Sequence, residues 1–159
     1  MITIIAAVAA NRVIGAAGKG MLWRIPADMN HFVELTTPHP VLMGRKTYES
    51  IPAKFRPLKD RLNVVITTNT DYQTSPGVLI CSSLDEALKI AQQYDDNIFV
   101  AGGGSIYSQA IDKTDRLEIT EVHQDYEGDV LFPIIDSTNW KEVHREDHEG
   151  FSFVRYERQ

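Results

Sequence analysis

The chain has 159 residues, 43% hydrophobic and 24% charged, so it can bury the core of one domain without disulfides or metals. A formal net charge of −6 argues against general nucleic-acid binding, and no apolar run approaches the roughly 20 residues that span a membrane. The single cysteine, Cys81, cannot form an internal disulfide, which favours a reducing, cytoplasmic location.

The charge is unevenly distributed along the chain. Residues 45–61 contain six Lys or Arg against two acids, Glu49 and Asp60, whereas the remainder is acidic. A basic patch on an acidic protein suggests binding of a specific anionic small molecule. A solvated basic loop is the alternative interpretation.

Strand and helix patterns alternate along most of the chain. A nearly continuous apolar strand at about 2–10 is followed by a long loop at 11–23 and a helix at 26–36 that opens on Pro26. Next come a strand at 40–43, a helix at 45–51, a loop at 52–61 and strands at 62–67 and 78–81. A helix at 84–94 opens with the capping box Ser83-Leu84-Asp85-Glu86, before a strand at 97–101 and a helix at 104–112.

The last part of the chain contains strands only, at about 116–124, 140–147 and 151–157. Alternating strands and helices followed by a run of strands predict a single α/β domain over residues 1–159. Its sheet is expected to be mostly parallel, with an antiparallel C-terminal edge.

Asp28 is the first candidate for chemistry. In a helix it shares a face with Phe32 and Leu35, and a carboxylate on an apolar face is costly without a hydrogen-bonding or cationic partner. The alternative is an acid in a first helical turn, stabilised by the helix dipole. Because a glycine-containing loop and Trp23 directly precede it, the pattern suggests a planar, cation-like heterocycle held by the carboxylate.

Three strand ends carry residues that suit phosphate groups. Gly102-Gly103-Gly104-Ser105 opens a helix, although Tyr107 replaces the third glycine of a dinucleotide-binding fingerprint. Gly44-Arg45-Lys46-Thr47 and Thr67-Thr68-Asn69 follow two other strands. Any one of these segments alone could be a turn without a ligand. Together they predict a nucleotide with several phosphates, resembling NADPH.

Two other site classes are disfavoured. Gly103 to Tyr107 nearly matches the nucleophile elbow of hydrolases, but Tyr107 replaces the final glycine and the chain is short for that fold. His144 and His148 fall in a predicted strand, where four residues separate them by about 13 Å. We therefore expect no metal site.

These features together resemble the dihydrofolate reductase family, of the bacterial chromosomal type, over essentially the whole chain. The matching stretches keep the family's order and spacing. They are Ile4-Ile5-Ala6-Ala7, Asn11-Arg12-Val13-Ile14-Gly15, Trp23-Arg24-Ile25-Pro26-Ala27-Asp28, Phe32, Val41-Leu42-Met43-Gly44-Arg45-Lys46-Thr47, Glu49-Ser50-Ile51, Arg56-Pro57-Leu58, Arg61-Leu62-Asn63, Gly102-Gly103-Gly104, Tyr107, Leu117-Glu118-Ile119-Thr120 and Glu127-Gly128-Asp129-Val130-Leu131-Phe132-Pro133.

The resemblance implies a central eight-stranded sheet flanked by four helices. It implies reduction of 7,8-dihydrofolate to 5,6,7,8-tetrahydrofolate by hydride transfer from NADPH, with protonation of pterin N5, in one-carbon metabolism. The expected ligands are dihydrofolate and antifolate inhibitors, and the expected form is a monomer that binds neither nucleic acid nor membranes.

The resemblance also assigns roles to individual residues. The catalytic group would be Leu22, Trp23, Asp28 and Thr120. The substrate contacts would be Ile5, Ala6, Asp28, Met29, Phe32, Ile51, Leu58, Arg61, Tyr107 and Thr120. The cofactor contacts would be Ala7, Ile14, Gly15, Gly44, Arg45, Lys46, Thr47, Thr67, Thr68, Ala101, Gly102, Gly103, Gly104, Ser105, Ile106 and Tyr107.

Within these sets, Arg61 would bind the glutamate carboxylate of the substrate. Arg45, Thr67 and Thr68 would surround the 2′-phosphate of NADPH, and loop 11–23 would be a mobile lid held closed partly by Asp129.

The chain departs from the family pattern at three points. Leu22 stands where the family usually has Pro, and the lid has one more residue between Gly15 and Trp23. Ala101 replaces a larger aliphatic side chain, which should enlarge the pocket there.

Two other functions remain as alternatives. A pyrimidine reductase of riboflavin synthesis would share the fold and NADPH, but Asp28 and Phe32 speak against it. A non-catalytic nucleotide-binding domain would not need the acid and the lid.

Overall fold

The computed structural model describes residues 1–16, 21–69 and 71–159. Its strands are β1 (Ile2–Ala9), β2 (Val13–Gly15), β3 (Val41–Gly44), β4 (Asn63–Ile66), β5 (Leu79–Cys81), β6 (Ile98–Val100), β7 (Arg116–Val122), β8 (Val130–Leu131), β9 (Trp140–His148) and β10 (Phe151–Arg158). The α-helices are α1 (Pro26–Thr36), α2 (Arg45–Ser50), α3 (Leu84–Ala91) and α4 (Gly104–Ala110), with 3₁₀ turns at Ala53–Phe55 and Ile111–Lys113.

Eight strands form the central sheet in the order β5-β4-β3-β6-β1-β7-β10-β9. The six strands from β5 to β7 are parallel, and β10 runs antiparallel to both neighbours, β7 and β9. The predicted mostly parallel sheet with an antiparallel C-terminal edge and four flanking helices is therefore confirmed. None of the helices described has the length and apolar character needed to cross a bilayer.

Strand alternation builds a core on each face of the sheet. Ile4 and Leu42 point into a cluster covered by α3 and α4. Their chain neighbours Ile5 and Val41 point into a second cluster, which Phe32 and Tyr48 cover from α1 and α2. The α1 and α2 face adjoins the candidate site.

Four details differ from the sequence predictions. Loop 11–23 contains β2, which pairs antiparallel with β8, and loop 52–61 contains a 3₁₀ turn. The third and fourth helices end earlier, at Ala91 and Ala110, the latter continuing as a 3₁₀ turn. A two- or three-residue ribbon leaves no periodicity in the sequence, and helix ends depend on local capping rather than on pattern.

The capping box at α3 forms with one of its two hydrogen bonds made by a different residue. The Ser83 hydroxyl accepts the Glu86 backbone N–H at 3.1 Å, as predicted. The Glu86 carboxylate, however, accepts from Ser82, at its backbone N–H and its hydroxyl. The N-terminus of α3 is thus stabilised by both side chains, with Ser82 replacing Ser83 in one of the two bonds.

Candidate functional site

Asp28 lies in the first turn of α1 and meets Thr120 of β7. The Thr120 hydroxyl donates a hydrogen bond of 2.5 Å to Asp28 Oδ1. Burial raises the pKa of the Asp28 carboxyl, while the Thr120 hydrogen bond and the His31 charge act in the opposite direction. The site therefore contains a carboxylate with a raised proton affinity, held in place by one hydroxyl.

His31 and Phe153 extend this arrangement, and sequence reasoning gave neither of them a role. His31 lies three residues after Asp28 on α1, and its ring stacks on Phe153 with centroids 3.8 Å apart. Phe153 of β10 pairs directly with Thr120 in the sheet. The i, i+3 spacing of Asp28 and His31 was the available signal.

The raised pKa of Asp28 predicts a gain of stability when its charge is removed. The folded protein binds this proton more tightly than the unfolded chain, so ionisation of Asp28 costs stability as the pH rises through its folded-state pKa. Asp28→Asn is therefore expected to melt at a higher temperature than the parent at about pH 7. The difference should shrink below about pH 4, where the unfolded carboxyl is also protonated. A variant that melts lower than the parent at neutral pH would contradict this reasoning.

The ends of β3 and β6 meet in a glycine cradle, formed by Gly44 and Gly102–Gly104. The Gly44 N–H donates to the Gly102 carbonyl at 2.9 Å, and the Gly102–Gly103 peptide bond is cis. Gly102 has φ +120°, and a Cβ on Gly103 would approach Thr47 Oγ1 to 3.0 Å. A Cβ on Gly104 would approach Val130 Cγ1 to 2.7 Å. The cradle therefore depends on the absence of side chains at these positions.

Tyr107 joins this cradle to the Asp28 region. Its hydroxyl donates to the Ile5 carbonyl at 2.7 Å, and a Cβ on Gly102 would lie 3.3 Å from the same hydroxyl oxygen. Burial strongly raises the pKa of Tyr107, and the negative charge of Asp28 raises it further. Tyr107 therefore stays a neutral donor that fixes α4 on β1.

The predicted apolar contacts divide into two groups. Phe32, Ile51 and Leu58 lie against the cluster that contains Ile5, and Ala101 borders the same cluster. Ala6 packs instead in the cluster on the opposite face, because strand residues alternate, so that only its backbone could face the site. Met29 is about half exposed at the surface of α1.

Arg61 is positioned beside the apolar wall by neutral oxygens. Its guanidinium donates to Thr36 Oγ1 at 3.0 Å and to the Lys59 carbonyl at 2.9 Å, and it lies 5.8 Å from the Phe32 ring centroid. Burial lowers the pKa of Arg61. Both acceptors are uncharged, so these two hydrogen bonds orient the guanidinium without neutralising its positive charge.

Asn63 shapes the loop that carries Leu58 and Arg61. Its side chain accepts from the Leu58 N–H at 2.8 Å and donates to the carbonyls of Leu58 and Arg61, each at 2.9 Å. Asn63 stands in a stretch that matches the family, but its structural role was not predicted. A buried Asn at the start of a strand was the available signal.

Arg45 and Thr67 directly follow the ends of two adjacent strands, β3 and β4. Gly44 pairs with Ile66 at the last register position of β3 and β4, so the residues that follow them are neighbours at the same sheet edge. Thr67 Oγ1 accepts from the Asn69 N–H at 3.1 Å, and Thr68 is exposed. The predicted Arg45, Thr67 and Thr68 set is therefore brought to one edge.

The two ends of the lid pack against residues 126–131. The Trp23 ring lies 4.9 Å from the Tyr126 ring, and its buried Nε1 has no hydrogen-bond partner within the described ranges. A Cβ on Gly128 would overlap the Gly15 carbonyl oxygen. Lid residues 17–20 lie outside the described residues.

The remaining predicted contacts surround the cradle or lie at its surface. Ile106 is buried, Gly15 pairs with Val130, and Ala7 pairs with Thr120. Ile14, Leu22 and Thr47 are half-buried, whereas Lys46 and Ser105 are exposed.

The two histidines considered as a metal pair both lie in β9. Within residues 1–16, 21–69 and 71–159, no group of three or more His, Cys, Asp or Glu side chains could hold a metal ion. His148 instead contacts Glu146 at 2.9 Å and stacks near Phe151.

Known proteins match this chain over nearly its whole length. A family model described as "Dihydrofolate reductase" matches residues 1–158. Dihydrofolate reductase HdrB of Haloferax volcanii and the dihydrofolate reductase of Neisseria meningitidis serogroup A are each 42% identical over 98% of this chain, covering 82% and 96% of those proteins.

A solved structure gives the same result. The dihydrofolate reductase of Enterococcus faecalis, complexed with NADP(H) and RAB-propyl, superposes with a TM-score of 0.88 at 33% identity, covering 100% of this chain and 96% of the other. This chain belongs to the dihydrofolate reductase family.

Proposed function

We propose that this protein is an oxidoreductase that reduces 7,8-dihydrofolate to 5,6,7,8-tetrahydrofolate with NADPH, in one-carbon metabolism. The observation that carries the proposal is the Asp28–Thr120 pair, a half-buried carboxylate with a raised pKa on the α1 face that adjoins the apolar cluster of Phe32. A protein that only stored a nucleotide would have no use for a partly desolvated acid with a raised pKa at this position.

The glycine cradle suits NADPH because a pyrophosphate group must come close to the protein backbone to bind its N–H groups. Side chains on Gly102 and Gly103 would fill the space beside Thr47, and the first N–H groups of α4 have no partners within the helix. We propose that Gly102 to Ser105 and Thr47 hold the pyrophosphate, with Ala7 and Ile14 beside the nicotinamide. When bound, NADPH supplies the hydride.

Asp28 acts on the pterin ring electrostatically. Its carboxylate binds the 2-amino group and the adjacent ring nitrogen, and a low-dielectric site strengthens its effect on charge that develops during hydride transfer. Since Asp28 lies on the side of the ring away from N5, the N5 proton reaches the ring through a water admitted by the lid.

The other proposed contacts follow the surfaces described above. Phe32, Ile51 and Leu58 enclose the rings, and Arg61 binds the glutamate carboxylate. Antifolate inhibitors would occupy the same wall, with more room beside Ala101. We further propose that the protein is a monomer and that it lies in the cytoplasm. The free thiol of Cys81 supports the second part, because it suits a reducing compartment.

An assay of NADPH oxidation with each candidate substrate tests the proposal. Dihydrofolate should support rapid oxidation, and the pyrimidine substrate of riboflavin synthesis should not. Oxidation with the pyrimidine alone would reassign the site to the related reductase. The absence of oxidation with both would leave a nucleotide-binding domain without this activity.

Arg45 should set the preference for NADPH over NADH. Charge-assisted hydrogen bonds to a 2′-phosphate contribute about 1.5–3 kcal/mol each, so Arg45→Ala should reduce the ratio of kcat/KM values by about tenfold or more. Lys141→Ala is the control for loss of one positive charge, because Lys141 lies in the outermost strand β9, far along the sheet from β3. Equal efficiency with NADH in the parent protein would remove the basis for this site.

Asp129 should affect lid closure rather than stability. It follows Gly128, whose backbone packs on Gly15 at the start of the lid. Asp129→Ala is expected to slow hydride transfer several-fold with little change in melting temperature, as single-turnover kinetics with deuterated NADPH can measure. Asp125→Ala, in the same segment, is the control, and an equal effect of both variants would count against a specific role for Asp129.

A further inference from the structure

An acid lies beside the cation of the proposed 2′-phosphate site. Arg45 begins α2 and Glu49 follows one turn later; Arg45 Nη1 lies 3.4 Å from Glu49 Oε1. The Tyr72 hydroxyl donates to the other carboxylate oxygen, Glu49 Oε2, also at 3.4 Å. The Tyr72 ring centroid lies 5.9 Å from the Arg45 guanidinium carbon. We call these three residues the Arg45–Glu49–Tyr72 cluster.

The cluster stands at the sheet edge where phosphate-binding residues gather. Arg45 follows β3 and Thr67 follows β4, at paired strand ends. Segment 45–61 is otherwise strongly basic, and Glu49 is one of its two acids. Desolvation and the Glu49 charge raise the pKa of Tyr72, so its hydroxyl remains a donor to the carboxylate.

The ion pair between Arg45 and Glu49 is weak enough for another anion to replace Glu49. The Arg45 and Glu49 side chains are 38% and 44% exposed, and their separation of 3.4 Å is long for a charge-assisted hydrogen bond. A phosphate monoester has a charge near −2 and three strong acceptor oxygens. It would therefore compete effectively with a single exposed carboxylate for the same guanidinium.

We infer that Glu49, which also accepts a hydrogen bond from Tyr72, is an internal competitor for Arg45 that the 2′-phosphate of the cofactor displaces, so that Glu49 and Tyr72 help to set cofactor specificity. This inference rests on the proposed function. A cofactor without the phosphate leaves Glu49 paired with Arg45. The pair thus reduces the affinity for the 2′-phosphate and affects the rest of the nucleotide much less.

Equilibrium binding of nucleotide fragments tests the inference without turnover. Adenosine 2′,5′-bisphosphate carries the 2′-phosphate, and adenosine 5′-monophosphate lacks it. Glu49→Gln is expected to bind the bisphosphate about two- to fivefold more tightly, the range of an exposed ion pair, by titration calorimetry. Its affinity for the monophosphate should change by less than about twofold. Tyr72→Phe should act in the same direction with a smaller effect.

Two further variants make the result specific. Glu149→Gln removes one negative charge from the β9–β10 turn, far along the sheet from β3, and should leave both affinities unchanged. In an Arg45→Ala background, Glu49→Gln should lose most of its effect, because the pair no longer exists.

The binding measurements test the role of Glu49 separately from the existence of the 2′-phosphate site. Unchanged or weaker bisphosphate binding by Glu49→Gln, or an equal gain for both nucleotides, would overturn the role of Glu49. If Arg45→Ala does not weaken the bisphosphate, the proposed 2′-phosphate site itself is wrong. Oxidation of NADPH by dihydrofolate does not depend on either result.

Discussion

Replacement of Asp28 by Asn is expected to lower kcat by about 10²- to 10³-fold at neutral pH, the loss typical of one preorganised electrostatic group. Asn keeps the size and an oxygen that Thr120 can contact, but it carries no negative charge for the pterin. NADPH binding should remain nearly intact, because the glycine cradle lies at the ends of β3 and β6, whereas Asp28 lies on α1. Steady-state kinetics, with NADPH affinity measured separately, check both parts.

Two neighbouring substitutions serve as controls for Asp28→Asn. Asp28→Glu keeps the charge and should retain more activity, whereas Thr120→Val removes only the hydroxyl that supports the carboxylate. Thr120→Val should therefore lose less activity than Asp28→Asn. If Asp28→Asn turns over at nearly the parent rate while folded, the assigned role of Asp28 is wrong.

Arg61→Ala should weaken dihydrofolate far more than a pterin without the glutamate tail. Removing one partner of a desolvated charge pair typically costs about 2–5 kcal/mol of binding free energy. Arg61 is already oriented by Thr36 and the Lys59 carbonyl, so little of its freedom remains to be lost on binding. Dissociation constants for the two ligands measure the difference.

Lys59→Ala is the matched control for Arg61→Ala, since Lys59 is an exposed cation two residues away in the same loop. It should weaken both ligands only slightly, through long-range attraction that salt screens. Equal losses for the tailed and tail-less ligands in Arg61→Ala would show that Arg61 does not contact the glutamate carboxylate.

The sequence was sufficient for the main elements of the fold. Helix α1 spans the predicted residues 26–36, because Pro26 defines a helix start, and the apolar strands end within one or two residues of their predicted limits. The β2–β8 ribbon could not be predicted, because strands of two or three residues carry no periodicity and the ribbon joins segments that are distant in the sequence.

The site residues that belong to short sequence motifs could be predicted. The contacts between residues that are distant in the sequence could not. Asp28, Arg61 and the Gly102–Gly104 turn carry recognisable patterns. Stacking of His31 on Phe153 and the contact of Tyr72 with Glu49 join separate elements, and local sequence does not encode such pairs. Strand alternation alone would have placed Ala6 on the opposite face from Ile5.

In the proposed reaction, a hydride passes from NADPH to the pterin beside Asp28. A single turnover with NADPH deuterated at the transferred position, followed by mass spectrometry of the folate product, detects this transfer. We predict one deuterium in tetrahydrofolate from the parent protein, and label transfer slowed by about 10²-fold or more in Asp28→Asn. Tetrahydrofolate without deuterium would show that NADPH does not supply the hydride, and label transfer at the parent rate in folded Asp28→Asn would show that Asp28 does not assist the transfer.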